Sequence, residues 1–305
     1  MQRYLVRRLF QSLLTLLVLS MLIFIVCRLT GDPVVLMLPD DASYEDVVQL
    51  RAALGLDRPL PVQYWRFLRS AVQGDFGRSI KGQVPVLDLI AERLPNSIKL
   101  AIVSLLITVT LAFPLGVMAA VKKGTTIDTL ANLIAVLGQS LPQFWVGIVL
   151  IQVFAVQLRW LPVAGTGSFW HYILPGFTLG WFLVAGIMRL LRSSMLDVLD
   201  SEFVKLARIK GVPGRSVVWK HALKNAIMPV VTFAAIYFAI LLTGAILVET
   251  VFAWPGIGQL IYQGIVYRDF PVIQAVVLLT ALFVVTVNLL VDITYAYLDP
   301  RIRLH

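Results

Sequence analysis

Residues able to carry chemistry are sparse in this chain of 305 residues, and their spacing gathers no reactive centre. The three histidines, His171, His221 and His305, are far apart, and Cys27 is the one cysteine. No intrachain disulfide can form. An intramembrane enzyme would need a nucleophile–base pair or a metal cluster on facing elements, and nothing in the pattern supplies one. No G-x-x-x-x-G-K-[ST] stretch occurs, so the chain lacks that route to cradling ATP phosphates. Polar residues do stand inside long apolar runs: Asn132, Gln139, Gln143, Gln152, Thr243, Asn288 and Asp292. In lipid such groups turn toward the bundle interior. Gln139, Thr243 and Asn288 are the candidates for lining a polar path, and Asp292 is expected to pair with inner arginines.

The densest charge lies between Arg189 and Lys224, with Arg189, Arg192, Lys205, Arg208, Lys210, Arg215, Lys220 and Lys224 against Asp197, Asp200 and Glu202. Placing these groups in lipid would cost on the order of 30 kcal/mol, so the segment belongs in water. It still reads as ordered. From Asp200 to Lys210, Phe203, Leu206 and Lys210 fall on one side at helical spacing, with Val204 and Ala207 adjacent. Gly211 and Pro213 are stop signals. Ser216 is placed to cap a second helix from Val217 to about Ala226. A short basic amphipathic helix between apolar segments can rest on a membrane surface or dock on another protein, and composition does not choose between the two.

The elements that must position these residues follow from composition. Hydrophobic residues are 59% of the chain and charged residues 14%, against about 45–50% and about 25% in soluble domains. The mean hydropathy is +0.85. Such a chain is neither disordered nor soluble without large apolar patches, and its net charge of +9 is not clustered on a soluble nucleic-acid-binding module. A bilayer core about 30 Å thick takes about 20 apolar helical residues. The runs predict an all-α integral membrane protein of six transmembrane helices in one domain: 9–28, 98–121, 129–157, 171–191, 226–248 and 272–294. The segment 29–96 becomes an outer loop with short helices, 196–225 an inner loop and 249–271 a second outer loop. The first run is too long for a signal-peptide core and is read as retained. Pro114, Pro142 and Pro175 are possible kink sites. Lys and Arg concentrate on one side: Arg3, Arg7, Arg8, Lys122, Lys123, the Arg189–Lys224 loop, Arg301 and Arg303, against Arg159 and Arg268 in the two short opposite loops. The positive-inside rule then puts both termini in the cytoplasm.

The stretch Glu202–Pro229, EFVKLARIKGVPGRSVVWKHALKNAIMP, resembles the cytoplasmic loop of ABC importer permeases of the peptide/nickel/opine branch. Ala207, Arg208, Lys210, Gly211, His221, Ala222, Leu223, Asn225 and Pro229 match that branch. Lys205-Leu206-Ala207 departs from the Glu-Ala-Ala of the wider family. Further blocks match in order: Gly31-Asp32-Pro33, Leu54–Tyr64, Gly74–Ser79, Glu249–Gly258, Arg268–Gln274 and Asp299–Arg303. The chain is similar to the first permease of the heterodimeric pair in dipeptide and oligopeptide importers, over nearly its whole length.

The resemblance implies the type I importer architecture and half of a translocation path. It implies a multi-pass protein of a bacterial or archaeal cytoplasmic (inner) membrane, with no catalytic residues and no cofactor or metal of its own. ATP and Mg would be held by two partner ATPase subunits. The other partners implied are a second homologous permease, an extracytoplasmic substrate-binding protein and membrane lipid, with no nucleic acid. The ATPase interface would be a coupling helix with Glu202, Phe203, Lys205, Leu206, Ala207, Arg208, Lys210, Gly211 and His221. The Gly/Pro-rich stretch with Trp254, Pro255, Gly256 and Gly258 reads as an outer gate or as an ordinary outer loop. Di- and oligopeptides are the expected cargo, with glutathione, nickel chelates and opines as alternatives on the same architecture. A secondary transporter or channel is a distant alternative, which would show internal repeats or paired broken helices.

Overall fold

A computed structural model describes residues 2–31, 34, 38, 43–53 and 55–298, with the side chains of 2–5, 235, 239, 240, 242–244 and 290–298 outside the description. The Gly31-Asp32-Pro33 turn in part, the tail Asp299–Arg303, and the side chains of Thr243 and Asp292 therefore fall outside the described residues. Among the described residues the chain is helical and holds no strand. Four helices among the described residues are long and apolar enough to cross a membrane, or up to six crossings if each of two bent pairs counts as one.

The chain divides into two compact units, Met1–Asn96 with Pro255–His305, and Ser97–Trp254. The first unit contains α1 (Gln2–Thr30), α2 (Tyr44–Ala53), α3 (Leu60–Val72) and the first turns of α4 (Val86–Val121). Ser43 and Asp46 close the N-terminus of α2 reciprocally: the Ser43 hydroxyl donates to the Asp46 carboxylate, and the Asp46 amide donates to the Ser43 hydroxyl. The Ser43 hydroxyl bond holds the Asp46 carboxyl below the ordinary aspartate range. Helix α3 folds back on α1 through Phe24, which stands 5.5 Å from the Tyr64 ring and 5.7 Å from Phe67. The Tyr64 hydroxyl lies 2.8 Å from Ser20 Oγ.

The other end of the chain completes this unit with α12 (Ile257–Val266) and α13 (Phe270–Leu298), numbered after the helices of the second unit. Val86 and Ile90 of α4 pack with Ile257 and Leu260 of α12 and with Val272, Ala275 and Val276 of α13. The segment 249–271, expected as a loop, thus contains a helix. Its apolar residues Ile257, Leu260 and Ile261 recur at helical spacing, and Gly256, in extended conformation, precedes its first turn. Asp269 joins the two stretches of sequence. Its carboxylate accepts from the Ser79 hydroxyl and from the Ile80 and Lys81 amides.

The second unit is built around α7 (Ile173–Leu199), preceded by one 3₁₀ turn, Phe169–Tyr172. The apolar window of Phe169–Leu199 is 67% buried, against 11% for Val6–Thr30 of α1. Helix α7 is therefore the core of its unit, and α1 offers most of its surface outward. Around α7 stand the rest of α4, then α5 (Thr126–Ser140), α6 (Gln143–Leu150), α10 (Met228–Gly244) and α11 (Ile246–Val251). Small residues permit the close approach, as expected where lipid supplies no hydrophobic drive between helices. A Cβ on Gly138 would sit 2.6 Å from Ala185 Cβ, and one on Gly180 2.7 Å from Thr108 Oγ1.

Two apolar runs are not simple rods. Helices α5 and α6 meet at 106° across Leu141-Pro142, and α6 continues as π-helical turns over Ile151–Gln157. Pro142 lacks the amide that a continuous helix would use there. By contrast, α4 continues past Pro114 without interruption, and Pro175 sits in the first turn of α7, where proline is tolerated.

Candidate functional site

Helix α8 (Glu202–Ile209) is flanked by α7 and by α9 (Gly214–Ala226), which is π-helical over Val217–Ala222. Glu202 in its first turn and Arg208 in its last complement the helix dipole. Its C-terminus is a Schellman turn: the Gly211 amide donates to Arg208 O, and the Val212 amide to Ala207 O. Gly211 has φ +76°, a conformation that glycine adopts without strain. The sequence thus stops the helix as expected. The cap of the next helix is different: α9 starts at Gly214 after Pro213, and Ser216 lies inside it with helical dihedrals and no capping bond. Proline's fixed φ starts the helix earlier than the serine would.

Helix α8 is amphipathic, and most of its apolar side is left open. Val204 is wholly buried, while Phe203, Leu206 and Ile209 are 46%, 55% and 80% exposed. Spaced by three, these residues share one face. Lys205, Arg208 and Lys210 are exposed, as are Gly211 and His221, and Ala207 is half-buried. Lys205 Nζ pairs with Glu202 Oε1 at 2.8 Å. The His221 carbonyl accepts from Asn225 Nδ2 at 2.8 Å. Val217, Ala222 and Ala226 anchor α9 inward, leaving Trp219 49% exposed. Ile209 and Trp219 were not singled out from sequence, although Ile209 follows Leu206 by three positions.

The Trp254 region contrasts with it. Trp254 and Glu249 are fully buried, and the Trp254 amide donates to Glu249 O at 2.7 Å. The Tyr172 ring meets the indole edge-on at 4.7 Å. Ser97 Oγ donates to Glu249 Oε1 at 2.6 Å, and the Gly165 amide donates to Phe252 O. The next residues belong to the first unit, where Asn96 Nδ2 donates to Pro255 O at 3.0 Å, Pro255 is half-buried, and Gly256 and Gly258 are buried.

Gln139 is half-buried at the end of α5. It lines a cavity of about 410 Å³ with Ser140, Gln143, Phe182, Tyr237 and Leu241. Asn288 is exposed on α13, and the Thr243 side chain is outside the described residues. No group of three or more His, Cys, Asp or Glu is arranged to hold a metal among the described residues. One ion pair escaped the sequence reading altogether. Arg192 of α7 forks onto Asp128 of α5, Nε to Oδ1 at 2.6 Å and Nη2 to Oδ2 at 2.9 Å. Its partners are 64 positions apart, so no local spacing signals it.

Comparison with known proteins fits this arrangement. Residues 112–304 match the family model described as the binding-protein-dependent transport system inner membrane component, and residues 1–101 match the N-terminal model of the same membrane component. The glutathione transport system permease protein GsiC of Escherichia coli K12 is 44% identical over 304 residues, 99% of both chains. That of Salmonella paratyphi A is 43% identical over the same span. A crystal structure titled as an amino acid ABC transporter with histidines superposes with a TM-score of 0.56 at 15% identity, covering 69% of this chain and 94% of that chain. That likeness carries the type I importer permease fold. The chain belongs to the binding-protein-dependent transport system inner membrane component family and is a multi-pass permease component of an ABC importer rather than its ATPase.

Proposed function

We propose that the chain forms half of the translocation path for short peptides, glutathione among them, in an importer powered by ATP and Mg on two separate ATPase subunits. The naming of the relatives as glutathione permeases, at 44% identity over 99% of both chains, supports this cargo. The other partners are a homologous second permease and an extracytoplasmic binding protein. The chain crosses the membrane six times with each bent pair as one crossing, and both termini are cytoplasmic.

The observation that carries the coupling role is the exposed Phe203–Leu206–Ile209 face of α8. In water that face is unstable alone and fits a groove on an ATPase. Lys205, Arg208 and Lys210 steer the encounter, while Glu202, Ala207, Gly211 and His221 fix the shape of the docking segment. ATPase closure then moves α8 and biases the path between inward-open and outward-open states. Trp254, Pro255, Gly256 and Gly258 serve as the outer gate, with the buried indole as its closed wedge. Gln139 contributes polar lining to the path through the cavity it shares with Gln143 and Tyr237.

The test is reconstitution of the complete importer in proteoliposomes with labelled glutathione and a labelled dipeptide. ATP-dependent uptake of at least one, with hydrolysis stimulated by loaded binding protein, is the expected result. Stable absence of ATPase association rejects the coupling role, and association without uptake of either cargo rejects the peptide reading.

A further inference from the structure

The Asp128–Arg192 pair is a densely hydrogen-bonded polar site of the second unit, and neither the motif blocks nor the family resemblance involves it. Asp128 is 6% exposed. Its carboxylate accepts both arms of the Arg192 fork, the Gly124 amide at 3.0 Å and Asn132 Nδ2 at 3.0 Å. Four donors converge on one side chain from three elements: the turn after α4, α5 itself and α7. A planar guanidinium held by both arms fixes orientation as well as distance, which a lysine cannot do.

The position of the fork matters more than its stability. Arg192 lies about two turns before the end of α7, and α7 runs through Asp200-Ser201 directly into α8. Asp128 lies at the opposite end of α5 from Leu141-Pro142, where the chain bends by 106° and the cavity with Gln139, Gln143 and Tyr237 opens. One turn further into α7, a Cβ on Gly116 of α4 would approach Met188 O to 2.9 Å, so the end of α4 is held close as well. Motion delivered to α8 therefore reaches α7 first. Gly138 of α5 packs on Ala185 of α7 near the bend, and at this end of α5 the fork keeps the displacement from being absorbed in the Lys122–Thr125 turn, where Gly124 has φ +78°.

We propose that Asp128 and Arg192 are positioning residues that convert displacement of α8 into rotation of α5, and so open or close the cavity at the broken helix. The inference rests on α8 being the coupling helix.

The experiment uses the complete importer in proteoliposomes, with Asp128→Asn and Arg192→Lys as variants. Both conserve size, and the second also conserves charge. ATPase co-purification should match the wild type and the unfolding temperature should fall only modestly, while uptake per ATP hydrolysed falls about tenfold. An unchanged ratio overturns the proposal. So does a parallel loss of stability, ATPase binding and both activities, which would mark the pair as structural only. A Phe203→Asp control separates the two levels. If that variant still holds the ATPases, the coupling role of α8 is what fails. If it loses them while the fork variants keep the wild-type ratio, only the fork inference falls.

Discussion

Helix α8 and the Phe252–Trp254 segment are both short and carry large apolar side chains, and they do opposite things with them. Phe203, Leu206 and Ile209 stay open to solvent, whereas Phe252 and Trp254 are almost wholly enclosed. The difference lies in what surrounds each. Along this segment, the Tyr172 ring and the Glu249 carbonyl meet Trp254, while Gly147 and the Gly165 amide meet Phe252, so apolar cover and backbone partners are both supplied. Around α8 only Val204 is covered, and charged residues flank the rest. An apolar side chain inside its own fold stabilises that fold. One left outside adds little to its own fold and stays available to a partner.

That contrast can be broken by substitution. The largest effect is expected from Phe203→Asp combined with Leu206→Asp. ATPase co-purification should be lost and uptake should fall on the order of 100-fold or more, with the unfolding temperature of the isolated chain unchanged. A lowered unfolding temperature would make α8 as structural as the Trp254 segment. Next, Trp254→Ala should remove about 3–5 kcal/mol through the cavity it leaves, measured by thermal unfolding in detergent. A wild-type unfolding temperature would discard the wedge, and unchanged uptake would discard the gate.

Two glycines sharpen the comparison. Gly138→Ala would drive a Cβ to 2.6 Å from Ala185 Cβ and should cost about 1–3 kcal/mol by overpacking. Gly211→Ala meets nothing within 4 Å, yet φ +76° costs about 1–2 kcal/mol. That cost should appear as fraying of α8 by hydrogen exchange and leave the rest of the molecule protected. The smallest effect belongs to Lys205→Ala. Its exposed pair with Glu202 is worth about 0.5 kcal/mol or less, so the change should appear only in the salt dependence of ATPase association.

Sequence made some of this legible for definite reasons. Residues 200–211 repeat apolar positions at helical spacing and end on Gly211, and local spacing is enough to specify a helix and its stop. The long apolar runs are likewise local. The break at Leu141-Pro142 was visible only as a proline in a run too long for one straight crossing, because the 106° angle depends on what packs on either side. Asp128–Arg192, Ser97–Glu249 and Ser79–Asp269 join residues of distant segments. Each member looks unremarkable among its neighbours in sequence. The exposure of Ile209 was equally hidden, since periodicity shows that a helix has a face but not whether the fold covers it.

The carboxylate of Asp269 has a consequence for how the protein is made. The turn it secures, Ser79 to Lys81, leaves the ribosome long before Asp269 does, and so do the residues of α4 that await α12 and α13. The unit Ser97–Trp254 can pack from a contiguous stretch of nascent chain. The unit that holds both Ser79 and Asp269 must stand open until Asp269 has been made. Chains truncated before Asp269 should therefore carry a normally protected central region and a protease-sensitive segment around residues 77–83, and quality-control proteolysis would act there first.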